Sequence, residues 1–167
     1  MPTQIIIIDP ESDLTVRLCE TLKDGETFIV ALGKLIPGRI LATFKVCRKF
    51  LTDNSAPFNR MLSGQFMEAS RKVIGVQEGT VASLELWFRV LRKKMTDEMY
   101  AISIEDVWEA IEVCGYRQFD LDKLKGEAWF AKWIVRKDVK TWTHAQMRML
   151  LFPCHEFDHA LGFAVLT

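Results

Sequence analysis

Apolar and polar positions alternate most cleanly within residues 42–68, ATFKVCRKFLTDNSAPFNRMLSGQFME. Phe44 and Val46 alternate with Thr43, Lys45 and Cys47, the period-two pattern of a half-buried strand. At Lys49, Phe50 and Leu51 the pattern turns helical, and Asp53, Asn54 and Ser55 supply a stop and a new cap. Ser55 can accept from the first free N–H groups, and Pro57 falls in the first turn, where no intrahelical donor is missed. Phe58, Met61 and Leu62 then share one apolar face, and Ser63-Gly64 ends the helix, with Gly64 suited to a left-handed cap. A strand feeding two short helices is the expected result.

Upstream, residues 5–8 are four isoleucines closed by Asp9-Pro10-Glu11-Ser12. They read as a strand of the domain's own sheet, covered on both faces, or as an exposed strand seeking a partner edge. Leu14, Val16 and Leu18 alternate with Thr15 and Arg17, giving a second strand. Lys23-Asp24-Gly25 is a turn, so residues 27–32 are expected to return as a hairpin strand, and residues 33–38 are a break or lengthened loop.

Downstream of a strand at residues 71–76, the spacing predicts four capped helices. Thr80 opens the first, with Val81, Leu84, Trp87, Phe88 and Leu91 inward and Arg89, Arg92, Lys93 and Lys94 at the negative end of its dipole. Ser103 opens the second, with Asp106 at its third position, an Ile102–Val107 staple, and Ile104, Val107, Trp108 and Ile111 inward; Cys114 follows and Gly115 is the stop. Asp120 caps the third, whose face is Leu121, Leu124, Ala128, Ala131 and Val135; Gly126 within it costs about 1 kcal/mol against alanine and implies close packing. The polar run at residues 136–141 marks a boundary. Beyond it Thr143 and Gln146 form a capping box with a Trp142–Met147 staple, and Pro153 interrupts that fourth helix. The pattern stops mid-helix at Thr167, as in a piece of a longer protein.

Composition narrows the class. Apolar residues make up 49% and charged residues 26%, ordinary values for a globular chain. Lys+Arg and Asp+Glu are each 22, so no global field steers the chain onto nucleic acid or a membrane surface. Cys19, Cys47, Cys114 and Cys154 lie far apart in apolar stretches, which favours reduced thiols over disulfides. With no basic leader and no apolar run near the ~18 residues of a membrane span, an intracellular protein of cytoplasm or nucleus is expected.

A strand, then Lys49-x-Leu51, then S-x-P-F-x-x-M-L-S-G-x-F-x-E resembles the heart of a BTB/POZ domain. Phe44, Val46, Lys49, Leu51, Ser55, Phe58, Met61, Leu62, Gly64, Phe66 and Glu68 carry the resemblance; residues 13–16 and 71–76 resemble the flanking strands. It covers residues 13–136, leaving 1–12 as an N-terminal segment and 137–167 as a helical extension. Cys47 stands where many members carry histidine, and the proline is one residue later than in the common S-P-x-F form. The resemblance implies an α+β fold, a small mixed sheet flanked by helices, and a function of association without enzymatic chemistry or cofactor. It implies a homodimer contact through Asp13, Val16, Lys49, Phe58, Met61 and Leu62, with Asp13 and Lys49 matching an acid–base pair in the family's buried charged pocket. Phe66 and Glu68 match the hydrophobic-x-Glu pattern by which some members contact a cullin-type ubiquitin-ligase scaffold. Such a domain would serve as an adaptor for a substrate, or as the BTB module of a transcription regulator whose DNA-binding part lies elsewhere. A potassium-channel-type tetramerisation domain is related in fold but lacks the appended helices expected here.

One motif points to a different chemistry. His155-Glu156-Phe157-Asp158-His159 is H-E-x-x-H, extended by Gly162 to the H-E-x-x-H-x-x-G of metzincin zinc proteases. Two histidines one helical turn apart can chelate zinc while the glutamate activates water, with Cys154 as a further donor. The third histidine of that pattern would fall at Val165, however, and no Met-turn follows. His155 and His159 are therefore decoys under the favoured reading, on an amphipathic helix with Phe157, Leu161 and Ala164 inward. No phosphate-cradling glycine motif occurs, and the five tryptophans read as core.

Overall fold

The computed structural model describes residues 3–20, 29–31, 34–36, 39–64, 70–160, 162 and 164. Phe66, Glu68 and Leu161 lie outside the described residues. Strands β1 (Gln4–Ile7), β2 (Leu14–Cys19), β5 (Ile40–Val46) and β6 (Val73–Val76) form one mixed sheet in the order β1-β5-β2-β6. β5 runs antiparallel to β2 (Val16 opposite Phe44) and parallel to β1 (Ile6 opposite Phe44), while β6 runs parallel to β2 (Ile74 opposite Val16). Among the described residues, strands β3 (Ile29–Ala31) and β4 (Lys34–Ile36) pair only with each other. The antiparallel partner of β2 is thus β5 rather than residues 29–31, the described part of the expected hairpin strand, and a strand occupies part of the expected break at 33–38.

The period-two pattern sets which face is wet. Ile6, Leu14, Val16, Leu18, Ala42, Phe44, Val46, Ile74 and Val76 are buried, and Phe44 meets Phe88 edge-on, 5.2 Å between ring centres. Ile5, Ile7, Arg17, Val73 and Gly75 lie exposed on the opposite face. The isoleucine strand is therefore covered on one face only.

Helices α1 (Arg48–Asn54), α2 (Ala56–Ser63), α3 (Val81–Arg92), α4 (Ile104–Arg117), α5 (Asp122–Gly126), α6 (Trp129–Val135) and α7 (His144–Glu156) complete the α+β architecture. The expected caps form: Ser55 accepts from the Phe58 N–H, Ser103 from Asp106, and Thr143 exchanges a capping box with Gln146. Thr80 caps α3 in a reciprocal box with Ser83. The Asp106 carboxylate then accepts from both Thr80 Oγ1 (2.6 Å) and Ser103 Oγ (2.9 Å), tying together the starts of α3 and α4.

Helix ends depart from the expectations at several points. Gly64 takes an extended backbone rather than a left-handed one. α4 passes through Gly115 and ends on left-handed Gln118. The third predicted helix is two, broken at left-handed Ala128. That break turns Trp129, Phe130 and Trp133 into the core and leaves Ala128 and Val135 exposed, so the predicted inward face held only in part. Gly126 ends α5 with no atom near its missing Cβ, so it does not serve close packing.

Pro153 lies inside α7 without ending it. A proline has no N–H for the carbonyl four residues back, here Met149. Trp108 Nε1 on α4 donates to that carbonyl at 2.7 Å, and its ring packs on Phe152 with 4.6 Å between centres. Other indoles join elements in the same way: Trp87 donates to Ala110 O (2.7 Å), Trp129 to Met99 O (3.1 Å) and Trp133 to Ile102 O (2.9 Å). The segment after residue 136 thus packs on the same core as the rest: Trp142 meets Trp133 edge-on and Val139, Leu150 and Phe157 join the cluster. Among the described residues no helix is long and apolar enough to cross a membrane.

Candidate interaction surface

The residues expected at a homodimer contact separate into two groups. Val16 and Phe58 are fully buried and Leu62 nearly so; they belong to the domain's own core and are not available to a partner. The same i, i+3, i+4 spacing that marks an interface helix also marks a helix packed inward, and Phe58 packs under the Arg117 guanidinium and beside Phe119. Asp13 and Lys49 are exposed and Met61 is half-buried.

The expected acid–base pocket between Asp13 and Lys49 does not form. Asp13 Oδ1 instead accepts from the Arg48 N–H at 2.7 Å, serving the start of α1. Lys49 reaches forward one turn to Asp53 Oδ2 at 2.7 Å, with both side chains largely in solvent. The base nearest the strand entrance is Arg48, whose guanidinium donates to the carbonyls of Leu62 and Arg71 and so ties α1 to the end of α2 and the approach to β6.

The N-terminal strand carries a feature that only the structure locates. β1 is an edge of the sheet, and on its solvent face Ile5 and Ile7 are 64% and 60% exposed. Residues 4–8 contain neither a charge nor a proline, two devices that commonly block an unpaired edge. The inward Ile6 and Ile8 anchor the strand, and at its end Asp9 accepts from Arg92 Nε at 2.6 Å with Lys94 Nζ at 3.9 Å. The Arg92 guanidinium holds the Asp9 carboxyl below the usual carboxylate range despite the opposing effect of burial; the Glu11 N–H and the Lys94 charge add to the effect. Arg92 also lies over the Phe50 ring, 4.3 Å from its centre, so the anchor reaches α1. Unbroken apolar composition signalled this strand. Its edge position follows from long-range pairing that no local pattern encodes.

The H-E-x-x-H segment does not fold as one helical turn. α7 ends at Glu156, and Asp158 takes a left-handed conformation, so His155 and His159 are not successive positions of one helix. His155 is 75% exposed beside Glu156, with Nδ1 and Oε1 3.1 Å apart. His159 packs edge-on against Phe130 and its Nδ1 accepts from the Gly162 N–H at 3.0 Å. Phe157 stacks on Phe130, 4.9 Å between centres. Gly162 has its own packing reason, because a Cβ there would collide with Cys154 Sγ. Ala164 is exposed rather than inward. Among the described residues no three His, Cys, Asp or Glu side chains cluster as metal ligands would.

The cysteines are free. Burial pushes the Cys19 and Cys154 thiols up, and takes Cys114 to about 11, with its Sγ directed at the Phe119 carbonyl.

No protein-family model and no curated protein matches the chain.

Proposed function

We propose that this chain is a protein–protein association domain of the BTB/POZ kind, which homodimerises and recruits other proteins without chemistry of its own. The observation that carries the reading is β1 as the outer strand of the sheet among the described residues, with Ile5 and Ile7 turned to solvent. Apolar side chains on a free edge lose water when a second strand joins them, while the strand's unpaired N–H and C=O groups find partners. The order of the central elements supports the family: strand β5, helices α1 and α2, then strand β6 beside β2, with further helices following. Val16, Phe58 and Leu62 belong to the core and take no part in the contact. Its surface is β1, through the exposed Ile5 and Ile7.

The test is mass in solution by light scattering across a dilution series, for the wild type and for Ile5→Lys with Ile7→Lys. A dimer that dissociates on dilution, and a monomeric double variant of unchanged circular dichroism, are expected. A wild type that stays monomeric at high micromolar concentration removes the homodimer reading.

The finer role is that of an adaptor to a cullin-type scaffold, resting on the Phe66-x-Glu68 pattern. Calorimetry against a purified cullin N-terminal region tests it, and Phe66→Ala with Glu68→Ala should cost at least ~2 kcal/mol, the usual scale of an anchor residue. Absence of wild-type binding removes the adaptor role alone.

A further inference from the structure

The other edge of the sheet has the opposite character. Two adjoining clefts, of about 480 and 460 Å³, share Met61, Arg71, Val73, Ile74 and Gly75 and form one groove around β6. Arg17, Arg60, Arg71 and Arg117 line it, against the single acid Glu78 among the described residues. A chain with 22 cationic and 22 anionic side chains has thus concentrated positive charge along one strand. Glu78 is already engaged by Arg117 Nη2. The Arg117 side chain is nine-tenths buried, and its Nε has no acceptor among the described residues. Arg17 and Arg71 are exposed, with no acidic partner among the described residues.

The backbone of β6 offers a second set of groups. The Thr15 N–H donates to Lys72 O at 2.8 Å, and Thr15 lies opposite Val73. In a parallel ladder this register turns alternate residues of β6 toward β2 and leaves the N–H and C=O of Val73 and Gly75 pointing outward. Gly75 sits opposite Arg17 and has only Cys19 Sγ, at 3.8 Å, near its missing Cβ. A glycine inside a strand suits close approach by another backbone.

We infer that the β6 groove binds an extended acidic segment of a partner protein, which pairs with the outward groups of Val73 and Gly75 and sets aspartate or glutamate side chains against Arg17 and Arg71. Main-chain pairing supplies the docking, and the arginines select the sign of the side chains. Met61 and the exposed side of Val73 give the segment an apolar floor. This site lies on the edge opposite β1, so it stands or falls separately from homodimerisation.

The experiment is a titration of the isotope-labelled chain with a capped peptide of alternating glutamate and valine, followed by amide resonances. Controls are a lysine–valine peptide, a glutamate–valine peptide methylated at alternate main-chain nitrogens, and a short single-stranded oligonucleotide. Shifts centred on residues 73–76 with the acidic peptide, and at least ~10-fold weaker binding by Arg71→Glu or Arg17→Glu, are expected, as loss of a paired interfacial charge commonly brings. Both variants are at exposed positions, and an unchanged thermal midpoint separates lost binding from lost fold. Equal binding of the acidic and lysine peptides, undiminished binding of the methylated peptide, tighter binding of the oligonucleotide, or no shift at β6 would each overturn the inference.

Discussion

Replacing Trp108 by phenylalanine should destabilise the domain through a carbonyl that has no other protein donor four residues ahead. Pro153 supplies no N–H to Met149 O, and Trp108 Nε1 fills that place at 2.7 Å. Phenylalanine keeps most of the contact with Phe152 but removes the donor. A buried carbonyl left unsatisfied costs about 1–3 kcal/mol. Met149 is half-buried, so water can recover part of that loss and about 1–2 kcal/mol is expected. The same substitution made with Pro153→Ala should cost only about 0.5–1 kcal/mol, because the introduced alanine can donate its N–H to Met149 O and only a net neutral hydrogen bond is lost. The cycle of four proteins should therefore show a coupling near ~1 kcal/mol. Urea unfolding followed by helical circular dichroism measures it; with a slope of about 2 kcal/mol/M, about 1 kcal/mol moves the midpoint by about 0.5 M. Additivity within about 0.3–0.5 kcal/mol would mean that the two residues act independently, and would refute the account of how α7 passes through a proline.

Five other substitutions have effects that can be worked out in the same way. Ala128→Gly should stabilise by about 0.5–1 kcal/mol in thermal unfolding, since φ is 51° there and relief of left-handed strain exceeds the added chain entropy. Gly79→Ala should cost more than ~2 kcal/mol by the same measurement, because φ is 95° and a Cβ would meet Val113 Cγ2 at 2.6 Å. Asp9 has a depressed pKa when folded, so its contribution is fully present above the unfolded value of about 3.9 and is lost as pH falls through the folded value. Asp9→Asn should accordingly flatten the acid limb of a stability–pH profile; an unchanged limb would count against the anchor. His155→Ala should change stability by less than ~0.5 kcal/mol, whereas Phe157→Ala should cost about 3–5 kcal/mol. Comparable losses from both would restore a structural role to the histidine.

Caps were the most readable part of the chain. Ser55, Thr80, Ser103 and Thr143 act on N–H groups three residues away, so local spacing is enough to place them. Helix breaks were harder to read, because distant packing decides them. Nothing in the local sequence stops a helix at Ala128; the break lets Trp129, Phe130 and Trp133 reach the core together. Pro153 reads as a stop until Trp108, remote in sequence, is seen to satisfy Met149. Three of the expected interface residues proved to be core for a related reason. Apolar periodicity at Val16, Phe58 and Leu62 shows that one side is dry without saying whether the chain's own core or a partner keeps it so. The parallel β1–β5 pairing and the arginines around β6 come from residues far apart in sequence, and periodicity carries no trace of either.

The placement of β1 has a consequence for how the domain comes apart. Residues 8–13 carry the chain past the end of β5, so β1 lies on the far side of β5 from β2, its neighbour in sequence. Pairing of β5, β2 and β6 does not involve β1, whose hydrogen-bonded ladder among the described residues is to β5 alone. Ile6, Ile8 and the Asp9–Arg92 contact hold it from one side. Native-state hydrogen exchange should therefore show the β1 amides opening as a separate, lower-energy unit, while those of β2 exchange only with global unfolding. An opening of that kind exposes the inner edge of β5 together with a short apolar strand, so any partner that captures either one draws on a state the isolated domain already visits.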